Sequence, residues 1–524
     1  MSRAHQITFS TILLAGLMLV PQWVGGDVVM VGNVGGANAN NISRRHNDRI
    51  IIRLPAMTVT GSTPKRQPNE FIAQFEDAHP DMRLTVLDAI PDRGLFLLHL
   101  QAPRTTNFDA LELELETAYL THLRWVEMMY NLEAPEGGTG SVHVDDLVGL
   151  TDYHNQFVVN SLGIAQANTL SDGQYTTVAI LDTGVDATHP AFGGHVLPIG
   201  IDFVDNDANP NDVGDGLDTD GDGAIDEMTG HGTFVAGLVS LIASEARIMP
   251  VRVLNGDGVG DNWILAKGLF YAIDNGADII NLSLRSTYNS QAVEDALREA
   301  NQQGIFVAAA AGNENRDLPR EFPAMGKAHG VAALDNLNIK AGFSNFSNRL
   351  FISAPGGNQV NPDGTPIPSQ SIISAFPGGG YSVWEGTSMA TPLVSATAVL
   401  IKAQHPHNLN WPIPVLRPEK IVDNILQILT TSATNIDSLN PDFVGMLGVG
   451  SLNIGAAVAL GPPAPQICAG GDVNYDGIVD ATDLVAVINS IGPCPAPCPT
   501  DFTGDGIVNA DDIVVVINNI GPCF

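Results

Sequence analysis

The chain has 524 residues, with 24 Lys and Arg against 57 Asp and Glu, for a formal net charge of −33. That balance repels nucleic acid and anionic membranes and excludes a basic binding module. The length suits two substantial domains and one small module. Arg3 and the apolar stretch Ile7 to Val20 read as an export signal too short to be a membrane span, with small residues at Val24-Gly25-Gly26 near a cleavage point. Residues 1–26 are expected to be a signal peptide, with an uncleaved anchor as the alternative. The mature chain is expected to be secreted or extracellular, with cell-surface attachment left open, and to bind neither nucleic acid nor membrane after processing.

Residues 27–48, rich in Gly and Asn, read as flexible. Asn69 to Phe75 and Gly94 to Leu100 read as strands, and Phe108 to Leu120 as a helix. Gly137-Gly138-Thr139-Gly140 marks an exposed boundary. The apolar run Thr176 to Leu181 predicts a strand buried on both faces, with Asp182 at its carboxyl end, where open α/β sheets place their sites. Gly230-His231-Gly232-Thr233 opens a helix over Phe234 to Ala243. Strands are predicted at 246–254, 277–284, 304–311 and 330–335, and helices at 263–275 and 291–303, the alternation of a parallel α/β fold. Ala308 to Ala311 runs into Gly312 and the side-chain amide of Asn313. Gly386 to Pro392 then places Ser388 at the mouth of a small-residue helix, Thr391 to Lys402, with Pro392 in its first turn. Free N–H groups and the helix dipole there favour an alkoxide or an oxyanion.

A serine hydroxyl needs a base within hydrogen-bond reach. His231 can accept and return a proton near neutral pH, Asp182 can orient it, and Asn313 with the Ser388 N–H can hold an oxyanion. Asp-Thr-Gly-Val from Asp182, Gly-His-Gly-Thr around His231 and Gly-Thr-Ser-Met-Ala-Thr-Pro around Ser388, joined by Gly312-Asn313, resemble the subtilisin-like serine proteases (subtilases) over roughly residues 145 to 460. The resemblance implies a parallel sheet with helices on both faces in residues 141–460, and an endopeptidase acting through an acyl-enzyme on protein or peptide substrates. Asn281-Leu282-Ser283-Leu284 resembles the family strand that pairs with an extended peptide, which makes Ser283, Leu284 and Gly312 candidate substrate-binding residues. The family usually continues with small residues, whereas Arg285 and Ser286 follow here. Trp125-Val126-Glu127 and Tyr130-Asn131 resemble the tail of an inhibitory propeptide, implying a small α+β propeptide over 27–140, inhibitor-like in 49–136; a permanent N-terminal domain is the alternative. Asp182-Thr183-Gly184 is also an aspartic-protease motif, but the second motif that a carboxylate dyad requires is absent from the sequence. A non-catalytic adhesion or scaffold protein on a protease fold is the other alternative.

Residues 202–227 hold ten carboxylates and no Lys or Arg. Within them Asp218, Asp220, Asp222, the carbonyl of Ala224 and Asp226 follow the spacing of a calcium loop, although Thr229 stands where a carboxylate is expected at position 12. After the Pro-rich linker 461–466, residues 467–524 repeat one pattern at a 29-residue offset. Asp472, Asn474, Asp476, Ile478, Asp480 and Asp483 are followed by Asp501, Thr503, Asp505, Ile507, Asn509 and Asp512, each set feeding a short apolar helix. Duplicated Ca2+ loop–helix units of this kind resemble a type I dockerin module, which implies a small α-helical domain and a cohesin-like docking partner. All four cysteines lie here, and of three possible connectivities the repeat suggests Cys468–Cys494 and Cys498–Cys523.

Overall fold

The computed structural model describes residues 28–29, 45–55, 68–119, 123–137, 143–145, 148–286, 288–318, 323, 327–357, 367, 370–404, 419–460, 478–479, 481–493, 500, 507–518 and 521–522. The expected signal peptide, the linker 461–466 and all four cysteines, with the bridges suggested for them, lie outside these residues. Among the described residues no helix is long and apolar enough to cross a membrane.

The central sheet has seven parallel strands in the spatial order Ile352–Pro355, His329–Leu334, Phe306–Ala310, Ile279–Leu282, Thr177–Asp182, Arg247–Arg252 and Ile201–Asp202. Strand Thr177–Asp182 is buried along its whole length, as an apolar run between two helical layers should be. The strand order reverses around it, so its carboxyl end opens on a crevice, and Asp182 occupies that end. Helices His231–Ile242 and Thr387–Ala403 lie on one face and pack on each other, while Asn262–Asp274 and Gln291–Gln302 pair on the other face. Every residue of His231–Ile242 is buried, consistent with a helix apolar on all sides. Gly232 lets it approach the sheet: a Cβ there would stand 2.1 Å from the Gly184 carbonyl.

The predicted strands and helices of this region are all present. Features that were not expected include the hairpin Ile372–Phe376/Gly380–Trp384, the edge strands Ile352–Pro355 and Ile201–Asp202, the short helices Leu150–Asn155, Phe157–Ser161 and Ile164–Ala167, and the helix Glu419–Ser432. Helix Thr387–Ala403 begins four residues earlier than predicted, so Pro392 lies inside it rather than in the first turn.

The N-terminal region is an antiparallel sheet covered by helices Asn69–Ala78 and Phe108–Ala118. Asn69 to Phe75 is thus helical, not a strand. Phe71 and Phe75, four apart and so on one face of the helix, both reach the core with Ile50, Ile52, Leu98 and Leu115. Residues 27–48, expected to be flexible, include strand Val28–Val29, which pairs with His143–Asp145, and the start of Arg45–Arg53. Strand Trp125–Glu133 borrows a partner from the α/β domain, Val259–Asp261, so one five-stranded sheet spans both regions.

The described part of the C-terminal module carries two helices, Ala481–Asn489 and Ala510–Asn518, around Val479, Val487, Val508 and Val516. Ile478–Val479 pairs with Gly521–Pro522, and Gly492–Pro493 with Ile507–Val508. Each repeat therefore pairs with the exit of the other, and the duplication in sequence becomes a paired unit in space.

Candidate active site

Asp182, His231, Ser388 and Asn313, which the sequence separates widely, meet at the carboxyl edge of the sheet. The Asp182 carboxylate Oδ1 lies 2.7 Å from His231 Nδ1 and accepts from the Thr183 N–H at 2.8 Å. His231, Asp182 and Ser388 are fully buried. Asn313 is anchored through its carbonyl, which accepts from the Thr387 N–H at 3.0 Å and the Thr387 hydroxyl at 2.9 Å. That anchorage aims its amide nitrogen toward Ser388.

A fifth residue fills the space between them. The Ser388 hydroxyl donates to Glu136 Oε2 at 2.6 Å, and His231 Nε2 lies 3.1 Å from the same oxygen. Glu136 Oε1 accepts from Asn313 Nδ2 at 2.8 Å and from the Ser388 N–H at 3.4 Å. One carboxylate thus fills the space among Ser388, His231 and Asn313, with one oxygen on the Asn313 amide and the Ser388 N–H and the other on the Ser388 hydroxyl and beside His231. Gly386 makes room for it, since a Cβ there would lie 1.9 Å from Glu136 Oε1. Burial lowers the His231 pKa, but the Asp182 and Glu136 carboxylates outweigh it and raise the value to about 10. With Glu136 in place the imidazole keeps its proton at neutral pH and cannot take another from Ser388.

Asp212 is a second residue that the sequence did not single out. Fully enclosed, it accepts from the hydroxyls of Thr183 and Thr233 and the N–H groups of Gly230 and Thr233, at 2.7 to 2.9 Å. It ties the turn after Asp182 to the helix that begins with His231. Burial raises its pKa despite these four donors. Within the acidic run 202–227 nothing in the spacing distinguishes it from its solvated neighbours.

Ser283 sits beside the nucleophile. Pro392 has no N–H to give the Ser388 carbonyl four residues back, and the Ser283 hydroxyl donates to that carbonyl instead at 2.9 Å. The Ser283 carbonyl lies 3.4 Å from Ser388 Oγ. Leu284 is buried in the core and offers the cleft only its backbone. Gly312 has φ +95°, and its N–H donates to the Thr387 hydroxyl at 3.0 Å. Along this wall Glu133 and Arg285 bridge antiparallel, and the Ala134 N–H donates to the Gly258 carbonyl at 2.8 Å. Residues 131–134 lie in the cleft as an extended peptide between two strands, and residues 135–137 then turn, with the Gly137 N–H donating to the Ala134 carbonyl at 3.3 Å.

The acidic loop is brought together in part. Carboxylate oxygens of Asp218, Asp220 and Asp222 lie within 4.8 Å of one another. Asp226 is not with them: it accepts from the N–H groups of Asp215 and Gly216 at 2.8 Å, closing a separate turn. Its neighbour Glu227 lies within electrostatic reach of Asp220 and Asp222. Both Glu227 oxygens are buried without a hydrogen-bond partner, as is the hydroxyl of Thr229. Burial, with Asp257, Asp220 and Asp222 nearby, raises Glu227 to about 8; burial and Asp222, Asp257 and Asp218 raise Asp220 to about 6. A hard cation would relieve this crowding, so the donor set fits calcium. In the C-terminal module Asp483 and Asp512 are fully buried at matching positions of the two repeats, and Asp512 Oδ2 accepts from the Asn509 N–H at 2.9 Å. Ile478, Ile507 and Asn509 are also described, whereas Asp472, Asn474, Asp476, Asp480, Asp501, Thr503 and Asp505 lie outside the described residues.

A parallel sheet that presents a hydroxyl, its base and an oxyanion donor at one edge defines a serine hydrolase, and the order Asp, His, Ser along the chain is the order found in subtilisin. Residues 173–450 match the Subtilase family and residues 470–521 match the Dockerin type I domain. The chain is 34% identical to thermitase of Thermoactinomyces vulgaris over 249 residues, 48% of this chain and 82% of thermitase. It is 35% identical to the thermophilic serine proteinase of Bacillus sp. strain AK1, over 46% of this chain and 54% of that protein. It is 33% identical to subtilisin NAT of Bacillus subtilis subsp. natto, over 45% of this chain and 57% of that protein. The chain thus spans little more than half the length of the last two. It belongs to the subtilase family: it is a subtilisin-like serine protease that also carries a type I dockerin domain.

Proposed function

We propose that this protein is a secreted serine endopeptidase, held inactive by its own N-terminal domain and attached to a partner through its C-terminal module. The observation that carries the reading is the convergence of Ser388, His231, Asn313 and the Ser388 N–H on the two oxygens of one carboxylate. The four groups serve three parts of an acyl transfer: the nucleophile, the base and a pair of donors to the carbonyl oxygen. When Glu136 withdraws, the Ser388 hydroxyl loses its proton to His231 as Oγ attacks a substrate carbonyl carbon. The carbonyl oxygen takes the place of Glu136 Oε1, between Asn313 Nδ2 and the Ser388 N–H. His231, stabilised as imidazolium by Asp182, returns the proton to the departing amine. Water then repeats the sequence on the acyl-enzyme and releases the new carboxyl end.

Residues 27–140 act as the propeptide. Glu127 supports docking: its carboxylate accepts from the N–H groups of Gln291 and Ala292 at 2.6 and 3.2 Å, at the start of helix Gln291–Gln302. Arg53 and the indole N–H of Trp125 meet Asp295, Lys267 meets Asp88 at 2.7 Å, and Arg93 meets Asp274 and Glu299. The inhibitor is thus held by ion pairs and hydrogen bonds around an apolar contact, in which Ile51, Leu95, Leu97, Met129 and Leu132 join the core of the catalytic domain. Calcium is held by Asp218, Asp220, Asp222 and Glu227 and by the two C-terminal loops. The module docks on a cohesin-like protein, and the substrates are proteins or peptides.

The test is hydrolysis of casein by the purified, processed protein, compared with Ser388→Ala. Loss of both casein cleavage and separation of residues 27–140 in Ser388→Ala is expected. In subtilisin loss of the nucleophile costs about 10⁶-fold in kcat. Undiminished cleavage by Ser388→Ala would remove the serine mechanism.

A further inference from the structure

The strand in the cleft also shows how a bound peptide is read. The Glu133 N–H donates to the Arg285 carbonyl at 3.2 Å and the Arg285 N–H to the Glu133 carbonyl at 2.9 Å, so the two residues face each other directly. In this chain residues 135–137 turn, with the Gly137 N–H donating to the Ala134 carbonyl at 3.3 Å, but a peptide that stays extended carries the register on and sets its residue two positions further opposite Ser283, whose carbonyl stands 3.4 Å from Ser388 Oγ. The residue opposite Ser283 is therefore the one whose carbonyl meets the nucleophile. Glu133, two residues before it, stands where the third residue before a cut bond would stand.

Residues directly opposite in an antiparallel pair share a face. On that face the Arg285 guanidinium contacts the Glu133 carboxylate, and its Nε lies 2.9 Å from Glu314 Oε1. Arg285 is 7% exposed and Glu133 8%. Glu314 belongs to the catalytic domain and stays when the N-terminal domain leaves. It engages the Nε edge of a fork that offers five donors, and the outer edge is left to the peptide. A nearly buried guanidinium with an unpaired edge is costly, and a like charge placed against it costs more.

We propose that Arg285, oriented by Glu314, is a specificity-determining residue that selects Asp or Glu, and rejects Lys or Arg, at the third residue before the cut bond. This rests on the hydrolase reading of Ser388. The neighbouring subsite is apolar, because Leu132 reaches a cavity lined also by Leu265, Tyr288, Val293 and Leu297. Substrates of the form Leu-Xaa-Ala-Zaa, which copy residues 132–134, therefore isolate the effect of Xaa. Burial raises Glu133 to about 7, with Arg285 opposing the rise and Glu314 and Asp220 adding to it, so the assay is set at pH 8.5 where the acid is ionised.

The experiment compares kcat/KM of the processed full-length enzyme on internally quenched peptides with Xaa as Glu, Gln or Lys and Zaa randomised. Glu is expected to exceed Lys by at least about 10-fold, worth about 1.4 kcal/mol, with Gln between them. In Arg285→Gln the Glu-to-Lys ratio is expected to fall to within about twofold of unity, and in Glu314→Gln to rise, as the competing carboxylate is removed. Each is a ratio within one enzyme, so a general loss of activity cancels. A wild-type ratio near unity, or one unchanged in Arg285→Gln, overturns the subsite. The wild-type ratio stands on its own if a variant fails to fold. Failure to cut any of the three peptides overturns the hydrolase reading itself, and the subsite with it.

Discussion

Carboxylates crowd in two regions of this molecule, and they are handled in opposite ways. In the cleft, Glu136 has a donor for each oxygen, Asp212 has four donors, and Asp182 has the imidazole and a backbone N–H. In the loop from Asp218 to Glu227, Asp218, Asp220 and Asp222 accept backbone N–H groups yet crowd within 4.8 Å of one another, and both Glu227 oxygens are buried without a donor. In the first region the protein supplies donors from its own chain to every carboxylate, although Asp182 Oδ2 is buried without one. The second asks for charge from outside. A site completed from within can be silenced by one more segment of the same polypeptide, whereas a site completed from without responds to an ion.

The cleft side of this contrast breaks hardest at Asn313. Its amide donates to Glu136 Oε1 at 2.8 Å, the oxygen proposed above to stand in for the oxyanion. Asn313→Ala should lower kcat by about 10²- to 10³-fold, with KM little changed, as a donor used mainly in the transition state requires. Steady-state kinetics on a peptide substrate measure the split. A change confined to KM would mean that Asn313 binds the ground state and that Glu136 does not mimic an oxyanion.

Glu136→Gln sharpens the same side with a smaller effect. It keeps the shape of the plug but removes the charge that holds the His231 proton. Hydrogen bonds to charged groups contribute about 1.5–3 kcal/mol each, so activity of the precursor before separation should rise by about 10- to 100-fold. The pH dependence has a definite sign. Glu127 and Glu133 are each raised by burial to about 7, against an ordinary value of about 4.3 when free. Between these values the docked state holds more protons than the released state, so docking weakens as pH rises through that window. The extra proton on His231 acts in the same direction at higher pH, because Glu136 helps to raise that group to about 10. Asp295 acts in the opposite sense, since the contacts with Arg53 and Trp125 outweigh burial and lower it, but its window lies below about pH 4. Precursor activation, normalised to the rate of the mature enzyme at each pH, should therefore be faster at pH 8 than at pH 5. Equal rates would show that these carboxyls do not control release.

What the sequence made legible follows from how local each signal is. Asp182, His231, Asn313 and Ser388 each stand at an element boundary marked by glycine and apolar runs, so their positions at the carboxyl edge could be read without the fold. The parallel strands were equally plain, because a strand buried on both faces is a continuous apolar run. Glu136 was not legible: its partner Ser388 is 252 positions away, and beside a glycine-rich boundary it reads as a surface acid. Asp212 and Glu227 were hidden for another reason, since in a run of ten acids only burial separates a strut or ligand from a solvated charge. Arg285 could be noticed as a departure in the peptide-binding strand, but its meaning required the register that sets Glu133 against it. Pro392 was misplaced by a turn because the helix starts at Thr387, and the consequence, a Ser388 carbonyl completed by Ser283, belongs to tertiary structure alone.

The loop side of the contrast is tested by removing its ion. The donors are all hard oxygens, and the elevated values of Asp220 and Glu227 record mutual repulsion in a partly dry site. A cation present at about 100 times its dissociation constant stabilises the folded state by about 2.7 kcal/mol. In a domain of about 320 residues that is worth about 4 °C of Tm. Chelation of the full-length enzyme should lower Tm by that amount, and added calcium should restore it. The C-terminal loops contribute to any such shift, so the discriminating variant is Asp220→Asn, which removes one carboxylate from the catalytic domain and none from the module. It should reduce the chelator-sensitive shift of the catalytic transition while leaving that of the module intact, as differential scanning calorimetry would resolve. Removing a carboxylate from a cluster that repels itself without a cation would instead raise Tm. An Asp220→Asn protein more stable than the wild type, with an undiminished response to chelator, would make the loop a solvated acidic turn and erase its contrast with the cleft.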